Sequence, residues 1–274
     1  MGRVSSYLHG TSGVEQRRLA LLNRLVNQGS LRELGLRKGE KVLEVGSGLG
    51  HFAREMARQV GRRGRVLGIE QSRRQLLRAR STQSFSRAAS LEFRQGDALH
   101  LPFEEEEWGS FDVVHARFLL EHLLDPPRAA EQMVRAVRPG GRIILEDDDH
   151  DLLRLDPEPE GFWRLWRAYM RVFRLLGNDP LVGRKLTRIL LGAGALPRRN
   201  TWIFFGSCSG HPNFRAYLEN LLGVLRGARE ALLSRELIHA TDLHKALREL
   251  RTWGRRPDAS IWYAIAWAEA RKPR

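Results

Sequence analysis

Residues 41–50 read Lys-Val-Leu-Glu-Val-Gly-Ser-Gly-Leu-Gly, and residues 51–60 continue as His-Phe-Ala-Arg-Glu-Met-Ala-Arg-Gln-Val. The apolar residues Val42, Leu43 and Val45 make a short buried strand. Glycines at alternate positions 46, 48 and 50 then turn the chain into a helix over 51–60. Glycine tolerates positive φ and lets a ligand come close to the backbone. The following helix N-terminus presents a positive dipole end and free N–H groups. Alone, such a turn suits a nucleotide ligand or plain tight packing.

Working downstream, RVLGIEQS (65–72) is a second strand ending at an acid, and 73–85 is helical. A third strand and its exit loop occupy 91–103, and a fourth with its exit occupies 110–125. Residues 126–141 form a helix stopped by Pro-Gly-Gly, and 142–149 a fifth strand. Strands alternating with helices predict a parallel, doubly wound α/β sheet. Upstream, Leu19, Leu22, Leu25 and Val26 space out a helix over 14–34, with a break expected at Gly29-Ser30. The second half predicts helices at 157–177, 183–195, 212–228 and 230–253. Strands are expected at 200–208 and 260–270. The economical organisation is a single domain over 1–274. Residues 1–40 give N-terminal lid helices, 41–150 the ligand-binding core, 151–195 and 209–258 cap helices, and 196–208 with 259–274 the last strands.

The 274 residues are 42% hydrophobic and 28% charged, a globular composition. No apolar run approaches the ~20 residues of a membrane span, and the start, MGRVSSYLHGTSG, lacks the apolar stretch of a secretory leader. A lone cysteine, Cys208, excludes internal disulfides and cysteine-based zinc sites, and a reducing cytoplasm is expected. Basic residues number 46 against 32 acidic ones, a formal net charge of +14. Only five of the 46 are lysines, and the arginines are dispersed through nearly every segment. A dispersed charge reads as a compositional preference rather than a nucleic-acid stripe.

Two acids extend the glycine signal. Glu70, closing the second strand, can accept both ribose hydroxyls of an adenosine ligand. Asp97 in Gly96-Asp97-Ala98, after the third strand, can accept from an adenine amino group, with Ala98 supplying an N–H. All three signals lie at carboxyl ends of strands, where open α/β sheets place ligands.

With these residues in place, the chain resembles the class I S-adenosylmethionine-dependent methyltransferases. The matching segments are VLEVGSGLG, GIEQS, GDALHLPF, FDVVHARFLLEHLLD and AVRPGG. The resemblance extends to a bacterial small-molecule type, the type 11 or UbiE-like group. It shares a start like Tyr7-Leu8-His9-Gly10, an acidic stretch like Asp149-His150-Asp151 and an end like Ala270-Arg271-Lys272-Pro273. It implies a Rossmann-like sheet of seven strands, mostly parallel, with an antiparallel last strand and a helical cap. The implied cofactor is S-adenosyl-L-methionine, leaving as S-adenosyl-L-homocysteine. Gly46, Ser47, Gly48 and Gly50 would line its methionine and ribose, and Glu44 would order the loop or meet the amino end. Glu70 and Gln71 would take the ribose, and Asp97 and Ala98 the adenine. Arg117 would face the methionine or the acceptor, and Tyr7 and His9 would close over the site.

His122 and His150 are the candidate bases. The acids flanking His150, from Glu146 to Asp151, are expected to raise its pKa and to form a solvated, arginine-paired loop. No metal is expected. The reading is methyl transfer to a small, partly apolar acceptor. An RNA methyltransferase and a non-catalytic cofactor-binding protein are the alternatives, and a homodimer stays open. Against base methylation, the fourth strand ends in HARF, without an Asn/Asp-Pro-Pro-aromatic motif, and no Pro-Cys pair exists.

Overall fold

The computed structural model describes residues 13–81 and 90–274. The chain opens with helix α1 (Gly13–Leu34). Alternating strands and helices follow: β1 (Lys41–Val45), α2 (His51–Val60), β2 (Arg65–Glu70), α3 (Arg73–Ser81), β3 (Ser90–Gln95), β4 (Phe111–Arg117), α4 (Pro126–Ala136) and β5 (Val137–Asp148). The second half adds β6 (Arg154–Asp156), α5 (Phe162–Leu175), α6 (Leu186–Gly192), β7 (Leu196–Phe204), β8 (Ser207–Cys208), α7 (Phe214–Gly227), α8 (Arg229–Ser234), α9 (Ala240–Trp253), β9 (Ser260–Trp262) and β10 (Ala264–Arg271).

Seven strands form one sheet in the order β3-β2-β1-β4-β5-β10-β7. Strands β1 to β5 pair in parallel, and β10 runs antiparallel to both β5 and β7. This is the mostly parallel sheet with an antiparallel last strand that the resemblance implied. Strand β1 is buried on both faces from Val42 to Val45, which explains its apolar Val42, Leu43 and Val45, with Glu44 buried among them. Helices α1, α2 and α3 cover one face, in a core continuous with α5, α7, α8 and α9. Helices α4 and α6 cover the other.

Five expected boundaries move. Helix α1 runs through Gly29-Ser30 without a break. A Cβ at Gly29 would lie 2.7 Å from Ile203 Cγ2, so glycine there lets the helix approach β7. Ser30 donates to Glu146 Oε2 at 2.5 Å. Helix α4 stops at Ala136, and Val137 already pairs with Phe111 at the start of an irregular β5. The strands expected at 200–208 and 260–270 each divide. Gly206 breaks the first, since a Cβ there would come within 2.2 Å of the Ile261 carbonyl oxygen. Tyr263 separates β9 from β10, and β9 joins β6 and β8 in a separate three-stranded sheet. The segment 230–253 likewise divides into α8 and α9.

Candidate active site

The glycine turn follows β1 and wraps under β2. Gly46, Gly48 and Gly50 all have positive φ, at 79°, 54° and 69°. Gly50 is held most tightly: a Cβ would sit 2.3 Å from the Phe93 ring. The turn's amides are not the free donors its sequence suggested. Gly46 and Ser47 both donate to the Ile69 carbonyl at 2.9 Å, and Gly50 donates to Ser47 O at 2.8 Å. Gly48 donates to Glu70 Oε2 at 2.8 Å, and Ser72 donates to Glu70 Oε1 at 2.7 Å. The turn therefore contributes shape and space. Glu70 ties the first two strand ends together and keeps spare lone pairs for a ligand.

A cavity of about 320 Å³ opens over these strand ends. Glu44, Gly46, Ser47, Gly48, Glu70, Gln71, Asp97, Ala98, Arg117 and His122 all line it. Gly50 is buried beneath, against Phe93, and is not part of the lining. Tyr7 and His9 lie outside the described residues. Asp97 also braces its own turn, accepting from Leu99 N at 2.9 Å. Two buried polar atoms in the lining, Glu44 Oε2 and Ser47 Oγ, have no hydrogen-bond partner among the described residues. Burial pushes the Glu44 carboxyl up to about 8, against the pull of Arg117. Orphaned polar atoms, glycines that keep the floor open and an acid at each of the first two strand ends fit an adenosine ligand with a charged amino-acid tail.

Arg117 lines the cavity and also carries a second task. Its guanidinium donates to Ser30 Oγ at 3.0 Å, Asn23 Oδ1 at 2.7 Å and Asn27 Oδ1 at 2.8 Å. It also lies 4.0 Å from the centroid of the Phe52 ring. Arg117 thus fastens α1 over the cavity. Behind it, Glu146 is fully buried, accepting from Ser30 and lying 3.2 Å from His115 Nε2.

A second cavity of about 120 Å³ adjoins the first and shares Leu19, Leu22, Phe118 and His122 with it. Phe118 has φ 51°, a conformation that costs a non-glycine residue roughly 1–3 kcal/mol. That backbone carries the ring to the boundary of the two cavities. The walls come from α1, α5, α7, β9 and β10, with the acidic end of β5 at one side. His150 faces this cavity within a hydrogen-bonded row. Its Nε2 lies 3.1 Å from Glu121 Oε2, and its Nδ1 3.1 Å from the Tyr263 hydroxyl, which also bonds Asp148.

Two expectations about this loop fail. Burial lowers the His150 pKa, outweighing the pull of Asp148 and Asp149. Nor is the acidic stretch mainly solvated: Glu146, Asp147 and Asp149 are buried, while Asp151 is exposed. Asp149 and Asp151 do pair with an arginine, Arg184, at 2.5 and 3.0 Å. Asp147 accepts from the amides of Leu119 and Leu120 and so shapes the exit from β4. Burial instead raises Glu121 to about 8 and Asp148 to about 7, and lowers His122 to about 3. Glu121, Asp148 and His150 place donor atoms within 4.8 Å of one another. Both His150 nitrogens already have partners, so an ion there would have to displace Glu121 or Tyr263. Tyr263, Arg18, Asn220 and Ser30 were not singled out from sequence. Each meets the site from more than 100 positions away, with no local motif.

A family model described as a methyltransferase domain matches residues 36–169. A 37.1 kDa protein of transposon TN4556 from Streptomyces fradiae is 35% identical over 166 residues, 60% of this chain and 46% of that one. The demethylmenaquinone methyltransferase of Oceanobacillus iheyensis is 31% identical over 115 residues, 42% of this chain and 47% of its own. The chain thus spans about half the length of these curated relatives. In fold, the YcgJ protein of Bacillus subtilis superposes with a TM-score of 0.56 at 18% identity, covering 94% of this chain and 99% of that one. Residues 36–169 thus match a methyltransferase domain, and in sequence the chain is similar to curated methyltransferases.

Proposed function

We propose that this protein methylates a small, partly apolar molecule in the cytoplasm, with S-adenosylmethionine bound in the larger cavity and the acceptor in the smaller. The observation that carries this is the adjacency of the two cavities through Leu19, Leu22, Phe118 and His122. When bound, the cofactor supplies a methyl group on a positively charged sulfur. The protein's share is to line up the acceptor's lone pair and exclude water. Glu70 and Gln71 hold the ribose, Asp97 and Ala98 the adenine, and Glu44 the amino end. His122, kept neutral by burial, offers an uncharged ring at the junction, and His150 backs the acceptor side. Arg117 holds the roof rather than the acceptor. Cys208 is exposed, as suits a reducing compartment, and among the described residues no helix is long and apolar enough to cross a membrane.

Incubation with tritiated S-adenosylmethionine and a panel of small acceptors tests the reading. Label should move to an apolar or aromatic acceptor. Label recovered only in RNA, or in no acceptor although the cofactor product binds, would sink it.

A further inference from the structure

We propose that the second cavity takes its acceptor as an amine in the charged ammonium form, seated between Asp148 and a wall of aromatic rings. This rests on the methyltransferase reading above and names the substrate class of that site.

The hydrogen-bonded row fixes where negative charge resides. The Tyr263 hydroxyl bonds Asp148 and His150 Nδ1 at once. A tyrosine has one proton to donate. Directed at the carboxylate, it leaves the phenolic oxygen to accept from Nδ1–H. The neutral ring must then accept at Nε2, so Glu121 donates to it as the protonated acid. Burial supports this order, holding His150 neutral and Glu121 up to about 8. Asp148 is left as the ionised end of the row. Its Oδ1 is buried and has no hydrogen-bond partner among the described residues. A buried anion without a full set of partners is costly unless a cation or donor meets it.

The surroundings favour a cation. Trp166, Tyr169, Phe205 and Tyr217 line the same space, and ring faces attract ammonium groups. Arg18, from α1, already faces the cavity and lowers both Glu121 and Asp148, yet for each acid burial outweighs it. Asp148 also provides a base: one ammonium N–H bond breaks, an Asp148 O–H bond forms, and nitrogen gains the lone pair that methylation requires. Arg18, Phe205, Tyr217 and Tyr263 lie outside residues 36–169, so this pocket is built largely from segments the matched domain does not include.

Calorimetry on protein saturated with S-adenosylhomocysteine decides the matter, with phenethylamine and phenethyl alcohol as probes. They share ring and chain and differ in ammonium against hydroxyl. The amine should bind at least tenfold tighter at pH 8. That preference should shrink towards pH 5.5 as Asp148, raised to about 7, takes up a proton, while an alkylammonium with pKa ~10 stays charged. Glu121 titrates with the same sign, and burial keeps His122 and His150 neutral and Tyr263 protonated. Asp148→Asn should abolish the preference and leave S-adenosylhomocysteine affinity within twofold. Should that variant not fold, the pH series on the unaltered protein decides alone. Equal binding of the two probes, or binding of neither while S-adenosylhomocysteine binds, overturns the proposal. If S-adenosylhomocysteine itself does not bind, the methyltransferase reading fails, and the two probes on the free protein still decide the amine pocket.

Discussion

Glu121 shows how burial sets the chemistry of single residues here. Its side chain is almost wholly buried, yet it touches His150 at 3.1 Å and stands beside His122 at 3.3 Å. Its folded pKa lies near 8, above the 4.5 of a free carboxyl. A raised acid contributes stability that is present below about pH 4.5 and lost as pH rises towards 8. Glu121→Gln keeps a donor for His150 and removes the titration. Its melting temperature relative to the unaltered protein should therefore climb from pH 5 to pH 8. A difference that stays flat across that range would mean Glu121 does not titrate as described. Glu44, Glu70 and Asp97, which line the larger cavity, were legible from sequence because each sits at or just beyond the carboxyl end of a strand. The partners of His150 were not, since Tyr263 and Glu121 converge on it from 113 and 29 positions away.

Helix α1 and the split terminal hairpin are the elements that make a sheet into a site. Arg117 and Glu146 hold α1 through Asn23, Asn27 and Ser30. Gly29 sets the helix's distance from β7. On propensity alone Gly29→Ala would stabilise a helix by up to about 1 kcal/mol. The 2.7 Å approach to the buried Ile203 methyl opposes that with an overpacking cost of about 1–3 kcal/mol. The substitution should therefore lower the melting temperature, and Ile203→Ala in the same chain should return part of the loss. A gain in stability on Gly29→Ala would show that the helix can move away freely. Periodicity finds such a helix but not its partner, so Gly29 looked like a break. Similarly, the alternating pattern over 260–270 continues through Tyr263, and only the close packing of Gly206 on Ile261 reveals the change of sheet.

Across the whole molecule, the parallel pairing and hand of the sheet follow from the alternation of strands and helices, which is why the first 150 residues could be read closely. The cap could not, because its helices share one amphipathic pattern and several packings satisfy it. The net charge of +14 is likewise a global property with no local counterpart in the site. Many arginines are occupied internally, as Arg54, Arg117, Arg142 and Arg184 are. Binding to RNA or DNA should therefore be weak, blind to sequence and lost by physiological salt. Fluorescence anisotropy with mixed-sequence oligonucleotides checks this, and a sub-micromolar, sequence-specific complex at that salt would contradict it.

On the proposed reading, the strand ends of β1, β2 and β3 hold S-adenosylmethionine through Glu70. Calorimetric titration of cofactor-stripped protein with S-adenosylhomocysteine, alongside Glu70→Ala, tests it most directly. The account predicts micromolar binding, weakened in Glu70→Ala by about 1.5–3 kcal/mol, the loss of hydrogen bonds to a charged acceptor. No heat at millimolar ligand, or equal affinity in the two proteins, would contradict it.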